Sequence, residues 1–292
     1  MLIRKSCSFC QKKALKTKYT FEDYSIFECT HCGFIFRDRK LNRIESEAIY
    51  GKNYFLKSQK DYFSNCLVPN PKNKSKINDF NSRLDLLEKN IKKSEGIKLL
   101  DIGAGTGSFG YLANKRGWKT VGVEISLFAA NLARKKFNAK VYHGEVTDKN
   151  FKLNNFDIVT MWEVIANIEE TSKLLKKINS ILNRNGEVAI LTTVVDSWLY
   201  DVAKLIYNLS FGKISYFTKE GYPLQHSNHF TRKNLRKALK KNGFKIIYHE
   251  NREIPFKYTK LPKYYLPMLI ILGQLAKIFG RTIQYLVIAK KV

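Results

Sequence analysis

Apolar positions change period along this chain, and the changes mark out its elements. Ile97–Ile102 and Val121–Glu124 are short apolar runs of strand length, followed by Val141–His143, Phe156–Trp162 and Glu187–Thr192. Between them the period becomes helical. Ser126 has the position of an N-cap for a helix bearing Phe128, Leu132 and Phe137, and Thr171 to Leu182 forms an amphipathic helix stopped at Asn185-Gly186. Strand and helix in alternation imply an α/β fold with a parallel sheet. An earlier helix is expected over 75–93, with Ile77, Phe80, Leu84, Leu87 and Ile91 on one stripe and Gly96 ending it.

The alternation breaks from Ser197 to Phe217, where Trp198, Leu199, Val202, Leu205, Ile206 and Leu209 make an apolar helical face. A polar, aromatic loop follows over Gly221–Phe230. Thr231 then caps a basic helix to Lys241, Gly243 stops it, and Phe244–His249 and Ile283–Ala289 close the pattern as a strand pair. Three parts are expected: a small module over 1–40, a helical linker or cap over 41–95, and an α/β domain over 96–292 whose residues 196–230 form a lid or acceptor region.

The first strand runs into Asp101-Ile102-Gly103-Ala104-Gly105-Thr106-Gly107, and the second ends in Glu124, 19 residues beyond Gly105. Glycines there let backbone approach a ligand with no Cβ in the way, and the following helix N-terminus offers free N–H groups. A carboxylate at the second strand end can grip two ribose hydroxyls. Gly105-x-Gly107-x-x-Gly110 also fits a dinucleotide fingerprint, so the glycines alone leave two nucleotide-like ligands open. Asp101 would repel a pyrophosphate, whereas it can meet the ammonium of a methionine moiety. Together with the strand that carries Trp162 to the same crevice, this favours S-adenosylmethionine (SAM) over a dinucleotide.

Cys7-x2-Cys10 and Cys29-x2-Cys32 stand with 18 residues between the pairs. Each pair can turn two thiolates onto one ion in tetrahedral S4 coordination, for which zinc is the expected metal and iron the alternative. With all four ligands thiolates there is no open position, so the expected role is structural. A ribbon of about 40 residues has too little core of its own, and a metal would supply folding free energy. The N-terminus shows no apolar leader, which leads to a cytoplasmic expectation and disfavours two disulfides. Cys66 stands apart from these pairs as an isolated thiol.

The 292 residues carry 52 basic against 25 acidic side chains, a net charge of +27. An apolar share of 44% excludes general disorder. Such basicity suits anionic partners, whether phosphosugars, RNA or lipid headgroups. Tyr264–Ala276 is uncharged but broken by Pro267 and Gly273, and is too short to cross a bilayer.

In order and spacing these pieces resemble a class I SAM-dependent methyltransferase with an N-terminal zinc ribbon, of the kind found beside surface-polysaccharide and deoxysugar pathways, including sugar C-methyltransferases. The resemblance runs through Cys29–Phe36, Tyr50–Phe55, Leu99–Gly110, Val121–Ser126, Phe156–Ile168 and His226–Phe244. It implies a Rossmann-like seven-stranded, mostly parallel sheet with helices on both faces and the last strand antiparallel. It also implies that Asp101, Gly103, Gly105 and Gly107 wrap the methionine part of SAM, Glu124 binds the ribose, and Glu145 and Val146 flank the adenine. Trp162 belongs to the same cofactor set. One departure stands out, because relatives often carry Glu-His where this chain has Ala166-Asn167.

Methyl transfer to a hydroxyl or carbon needs a base, for which His226 and His229 are the candidates, while Glu163 at a strand's C-terminal end is placed to contact the acceptor or to close a local salt bridge. The expected acceptor is a small molecule, an anionic sugar or glycoconjugate precursor. Two alternatives stand beside it. An RNA methyltransferase suits the charge, although the chain has neither an Asn-Pro-Pro-Tyr motif nor a Pro-Cys nucleophile. A SAM-binding protein without activity is suggested by Ala166-Asn167. Leu261–Phe279, bracketed by Lys257, Lys260, Lys263, Lys277 and Arg281, reads first as a substrate-pocket wall or ordinary core, with peripheral membrane contact beside a lipid-linked substrate as the alternative and no transmembrane span.

Overall fold

A computed structural model describes residues 3–58, 74–91, 95–254 and 266–292. Cys66, Pro69 and Pro71 lie outside the described residues, as does the stretch 255–265 that contains the start of the Leu261–Phe279 segment. Two sheets carry the architecture. The larger has seven strands in the order β10(Phe244–Arg252), β11(Gln284–Lys291), β8(Leu182–Thr193), β7(Phe156–Trp162), β4(Lys98–Ile102), β5(Lys119–Glu124) and β6(Val141–His143). It is the expected mostly parallel, Rossmann-like sheet. The smaller has four strands in the order β1(Leu15–Thr20), β2(Ser25–Cys29), β3(Ile35–Arg37) and β9(Asn228–His229).

The chain divides into two compact units, one of Asn42–Trp162, Lys177–Ala189 and Lys290–Val292, the other of Met1–Leu41, Glu163–Lys176 and Ile190–Ala289. In the first unit β4 pairs in parallel with both β5 and β7, with Leu100 opposite Val121 and Val159. Leu99, Leu100, Ile158, Val159 and Met161 are buried, as strands covered on both faces require. Chain order runs outward from β4 through β5 to β6, while β7 lies on its other side. The sheet therefore switches direction beside β4, where open α/β sheets bind ligands at the strand C-termini. Helices Ser108–Lys115 and Leu127–Phe137 connect these strands, and Ser126 caps the second by accepting from Ala129 N at 3.3 Å. The helix expected over 75–93 spans Lys74–Asn90.

The helix from Thr171 ends at Ile181, earlier than Asn185-Gly186. The amide of Asn183 donates to Asp157 Oδ1 at 2.7 Å, so extended pairing begins at Leu182 and Asn185, at φ +67°, bends the strand itself.

In the second unit β1, β2 and β3 form an antiparallel ribbon, and β9 extends it with Ile35 opposite His229 and Phe36 opposite Asn228. Tyr19, Phe21, Tyr24 and Ile26 of the ribbon share one cluster with Tyr200 and Tyr222. The ribbon thus borrows core from residues 190–289. A second anchor is Glu169, which accepts from the buried guanidinium groups of Arg4 and Arg37 and from Leu41 N. Such pairing compensates the cost of burying the two cations. Thr231 caps the helix Arg232–Lys241 by accepting from Asn234 N at 3.0 Å. Among the described residues no helix is long and apolar enough to cross a membrane.

Candidate active site

β4 ends in a loop whose three glycines all take positive φ, +72° at Gly103, +54° at Gly105 and +82° at Gly107. Gly107 is also where the next helix packs, because a Cβ there would lie 2.8 Å from that of Ala133. Gly107 stands at the N-cap of the helix Ser108–Lys115 with no side-chain cap. A helix N-terminus of this kind favours a polar or anionic ligand through its backbone N–H groups and dipole.

Two carboxylates frame this loop. Asp101 is buried at the end of β4 and accepts from Thr160 Oγ1 at 2.7 Å. Burial pushes its carboxyl up to about 7; the Thr160 hydrogen bond and the Arg83 charge act downward, and the Glu124 charge adds to the rise. Glu124 is buried at the end of β5, where Gly105 N donates to Oε2 at 2.7 Å and Ser126 N to Oε1 at 2.8 Å. Burial raises its pKa against the pull of these backbone donors. A carboxylate retains acceptor capacity beyond two such bonds, so Glu124 both pins the glycine loop and can accept hydroxyls.

Beyond β6, Gly144 takes φ +140°, Glu145 N donates to Asp148 Oδ2 at 2.9 Å, and Val146 is buried while Glu145 is exposed. Trp162 closes β7 with its ring 5.2 Å from Phe109, and its indole N–H has no partner among the described residues. All eight residues expected to hold the cofactor fall in one unit.

Sequence reasoning missed Arg83. Its guanidinium is buried, stacks 4.9 Å from the Trp162 ring centroid and 5.4 Å from Phe80, and pairs through Nη2 with Asp79. Nε and Nη1 have no partner among the described residues. The only signal available was an arginine one step from Leu84 on an otherwise apolar helical stripe. Two buried carboxylates, a glycine cradle and unpaired guanidinium donors match an amino acid joined to a nucleoside.

A family model described as a methyltransferase domain matches residues 75–249. The chain belongs to that family. It is a SAM-dependent methyltransferase of α/β fold. A tRNA (uracil(54)-C(5))-methyltransferase of Pyrococcus horikoshii is 29% identical over 140 residues, covering 46% of this chain but only 32% of that relative. A demethylmenaquinone methyltransferase of Staphylococcus saprophyticus is 28% identical over 175 residues, 55% of this chain and 74% of the relative. The fold matches magnesium protoporphyrin IX methyltransferase from Synechocystis with bound SAH at a TM-score of 0.55 and 16% identity, over 82% of this chain and 98% of that one.

The methyltransferase's candidate bases lie in the second unit. Ser227 N donates to Ala166 O at 2.8 Å and Asn228 Nδ2 to Ile168 O at 2.6 Å, so the segment carrying Ala166-Asn167 anchors the histidine loop. Burial, with Arg37 adding to it, pushes His226 down to about 4. Burial also lowers His229, reinforced by His226 and Arg37, and its Nε2 has no partner among the described residues. Both imidazoles are therefore neutral at neutral pH. Glu163, at φ +59°, accepts from Thr193 N at 3.0 Å and from the Gln284 amide. His143 Nε2 lies 3.1 Å from Ile125 O.

The four Sγ atoms of Cys7, Cys10, Cys29 and Cys32 lie within 4.8 Å of one another. Cys7 to Cys32 is 3.7 Å and Cys10 to Cys29 is 3.6 Å, with no disulfide among them. A tetrahedron of thiolates about 2.3 Å from zinc has edges of about 3.8 Å, so the set fits such an ion. Gly33 at φ +70° and its N–H to Cys29 O at 2.8 Å shape the second knuckle. Phe9 stacks on Phe34 at 5.1 Å and covers the first.

Proposed function

We propose that this methyltransferase transfers the SAM methyl group to a sugar or glycoconjugate precursor bearing negative charge. When bound, SAM supplies an electrophilic methyl on a sulfonium, ready for in-line displacement. Asp101 receives the ammonium of the methionine part and Arg83 its carboxylate through Nε and Nη1. Glu124 takes the ribose hydroxyls, and Glu145 and Val146 flank the base. Gly103, Gly105 and Gly107 keep the backbone close. The observation carrying this reading is the pair of buried carboxylates around a positive-φ glycine loop, with unpaired guanidinium donors in the same unit. His226 and His229 are the proposed bases, supported by their neutral state, and Glu163 orients the strand end through Thr193 and Gln284. A structural Zn2+ on Cys7, Cys10, Cys29 and Cys32 holds the ribbon and thereby the β9 loop.

The acceptor class is supported by the resemblance to sugar-pathway enzymes and by the +27 charge. Purified protein given SAM and a nucleotide-sugar pool should yield a product heavier by one methylene. No such product across broad pools, with SAM binding intact, would remove the sugar assignment.

RNA is the second reading, favoured by the tRNA methyltransferase similarity. The missing Pro-Cys nucleophile counts against C5 chemistry of that kind. Absent or salt-independent RNA binding would exclude it.

A further inference from the structure

Two segments of the second unit hold most of the large apolar side chains that the described residues leave in water. The helix Leu266–Ile278 buries Leu269, Gly273 and Ala276 along one stripe. Met268, Ile271, Leu275 and Ile278 recur at helical spacing on a second, exposed face, with Ile278 77% accessible and Phe279 beyond it 75%. Gln274 and Lys277 are its only polar residues. An amphipathic surface helix has one apolar stripe facing its core; a second, opposite stripe implies a second apolar surrounding.

The helix Trp198–Leu209 behaves alike. Tyr200 and Ala203 are buried, while Val202, Leu205 and Leu209 form an exposed row continued by Phe211 at 93% accessibility. The two segments are tied together, since Trp198 N donates to Arg281 O at 2.9 Å and Arg281 pairs with Asp201. Exposed lysines 204, 213, 219 and 277 border them; among the described residues the exposed acids there are Asp201 and Glu220, with half-buried Glu253 accepting from the Trp198 indole.

We infer that this surface docks the methyltransferase on an anionic lipid bilayer. Apolar side chains enter the acyl boundary and the bordering lysines meet headgroups, the combination that gives peripheral binding. At 13 residues the helix Leu266–Ile278 is about 20 Å long, which suits lying in the interface and not crossing about 30 Å of hydrocarbon. A second copy of the chain is the less suitable cover, because it would bring another +27 charge and the same lysines against these. A lipid-carried glycoconjugate would then be met at the membrane; that extension rests on the proposed acceptor, whereas docking itself does not.

The test is co-sedimentation of the full chain with vesicles of phosphatidylglycerol and phosphatidylcholine, and with phosphatidylcholine alone. Binding should require the anionic lipid, weaken at least tenfold in 0.5 M salt, and fall at least tenfold in I271E/I278E and in F211E. SAM affinity and melting temperature of these variants serve as the folding control and should be unchanged. No binding by the unaltered chain overturns the inference, and so does binding undiminished in both variants. A concentration-dependent dimer lost in the variants, without vesicle binding, would assign the surface to a second copy. Vesicle binding by a chain that methylates no sugar would keep the docking surface and remove only the acceptor.

Discussion

Asp101 is a carboxyl held at about 7 by burial, so its charge is set by what reaches it. An ammonium ligand needs the ionised form. SAM affinity measured by calorimetry should therefore be constant above pH 8 and weaken about tenfold per unit below pH 7. D101N should bind at least tenfold more weakly with a flatter pH dependence. T160V removes a hydrogen bond that favours the carboxylate, and should move the break upward. Loss of a charged hydrogen-bond donor costs about 1.5–3 kcal/mol, so R83M should weaken SAM about 10- to 100-fold. Unchanged affinity in R83M would sink the carboxylate assignment. His226 makes folding itself sensitive to acid. His226 titrates at about 4 in the folded chain against an ordinary 6.5, so folding stability present above pH 6.5 should be lost as pH falls toward 4. If His226 is the base, kcat at saturating SAM and acceptor should stay level down to about pH 5; a break near 6.5 would point to another group.

At the scale of elements, the glycine loop and the ribbon are where local geometry is least replaceable. Gly107 combines φ +82° with a helix 2.8 Å from where its Cβ would stand. G107A should cost about 2–4 kcal/mol in urea unfolding, through strain and overpacking together. G105R should abolish SAM binding by filling the loop. The ribbon makes a more indirect prediction. β3 pairs with β9, and His229 is one of the paired residues. Chelation, or C29S, should lower the melting temperature and raise hydrogen exchange at the Asn228 and His229 amides while leaving Leu99–Ile102 protected. Unchanged exchange at those two amides would separate the metal site from the histidine loop. The strand and helix alternation, the Ser126 and Thr231 caps and the glycine loop were all legible, because each depends on residues close in sequence. The early start of β8 was not, since the Asn183 to Asp157 bond joins positions that sequence spacing does not relate.

For the whole molecule, the excess of 27 positive charges strains the folded state by self-repulsion. Raising salt from about 10 to 300 mM should lift the melting temperature by several degrees, because screening relieves that repulsion. A flat or falling dependence would mean that specific ion pairs, such as Glu169 with Arg4 and Arg37, outweigh the net charge.

The α/β class, the glycine loop after β4 and the four-cysteine array were readable from the residues alone, since period, turn chemistry and ligand spacing are local properties of a chain. The sequence could not locate Arg83, because an arginine on an apolar stripe gains meaning only when Trp162, Phe80 and Asp101 are brought beside it. It could not join the ribbon to the histidine loop, because the pairing of Ile35 with His229 closes nearly two hundred residues of chain. Nor could it tell which apolar faces stay in water. Burial is decided by what packs against a helix, and only the tertiary structure left those of Trp198–Leu209 and Leu266–Ile278 uncovered.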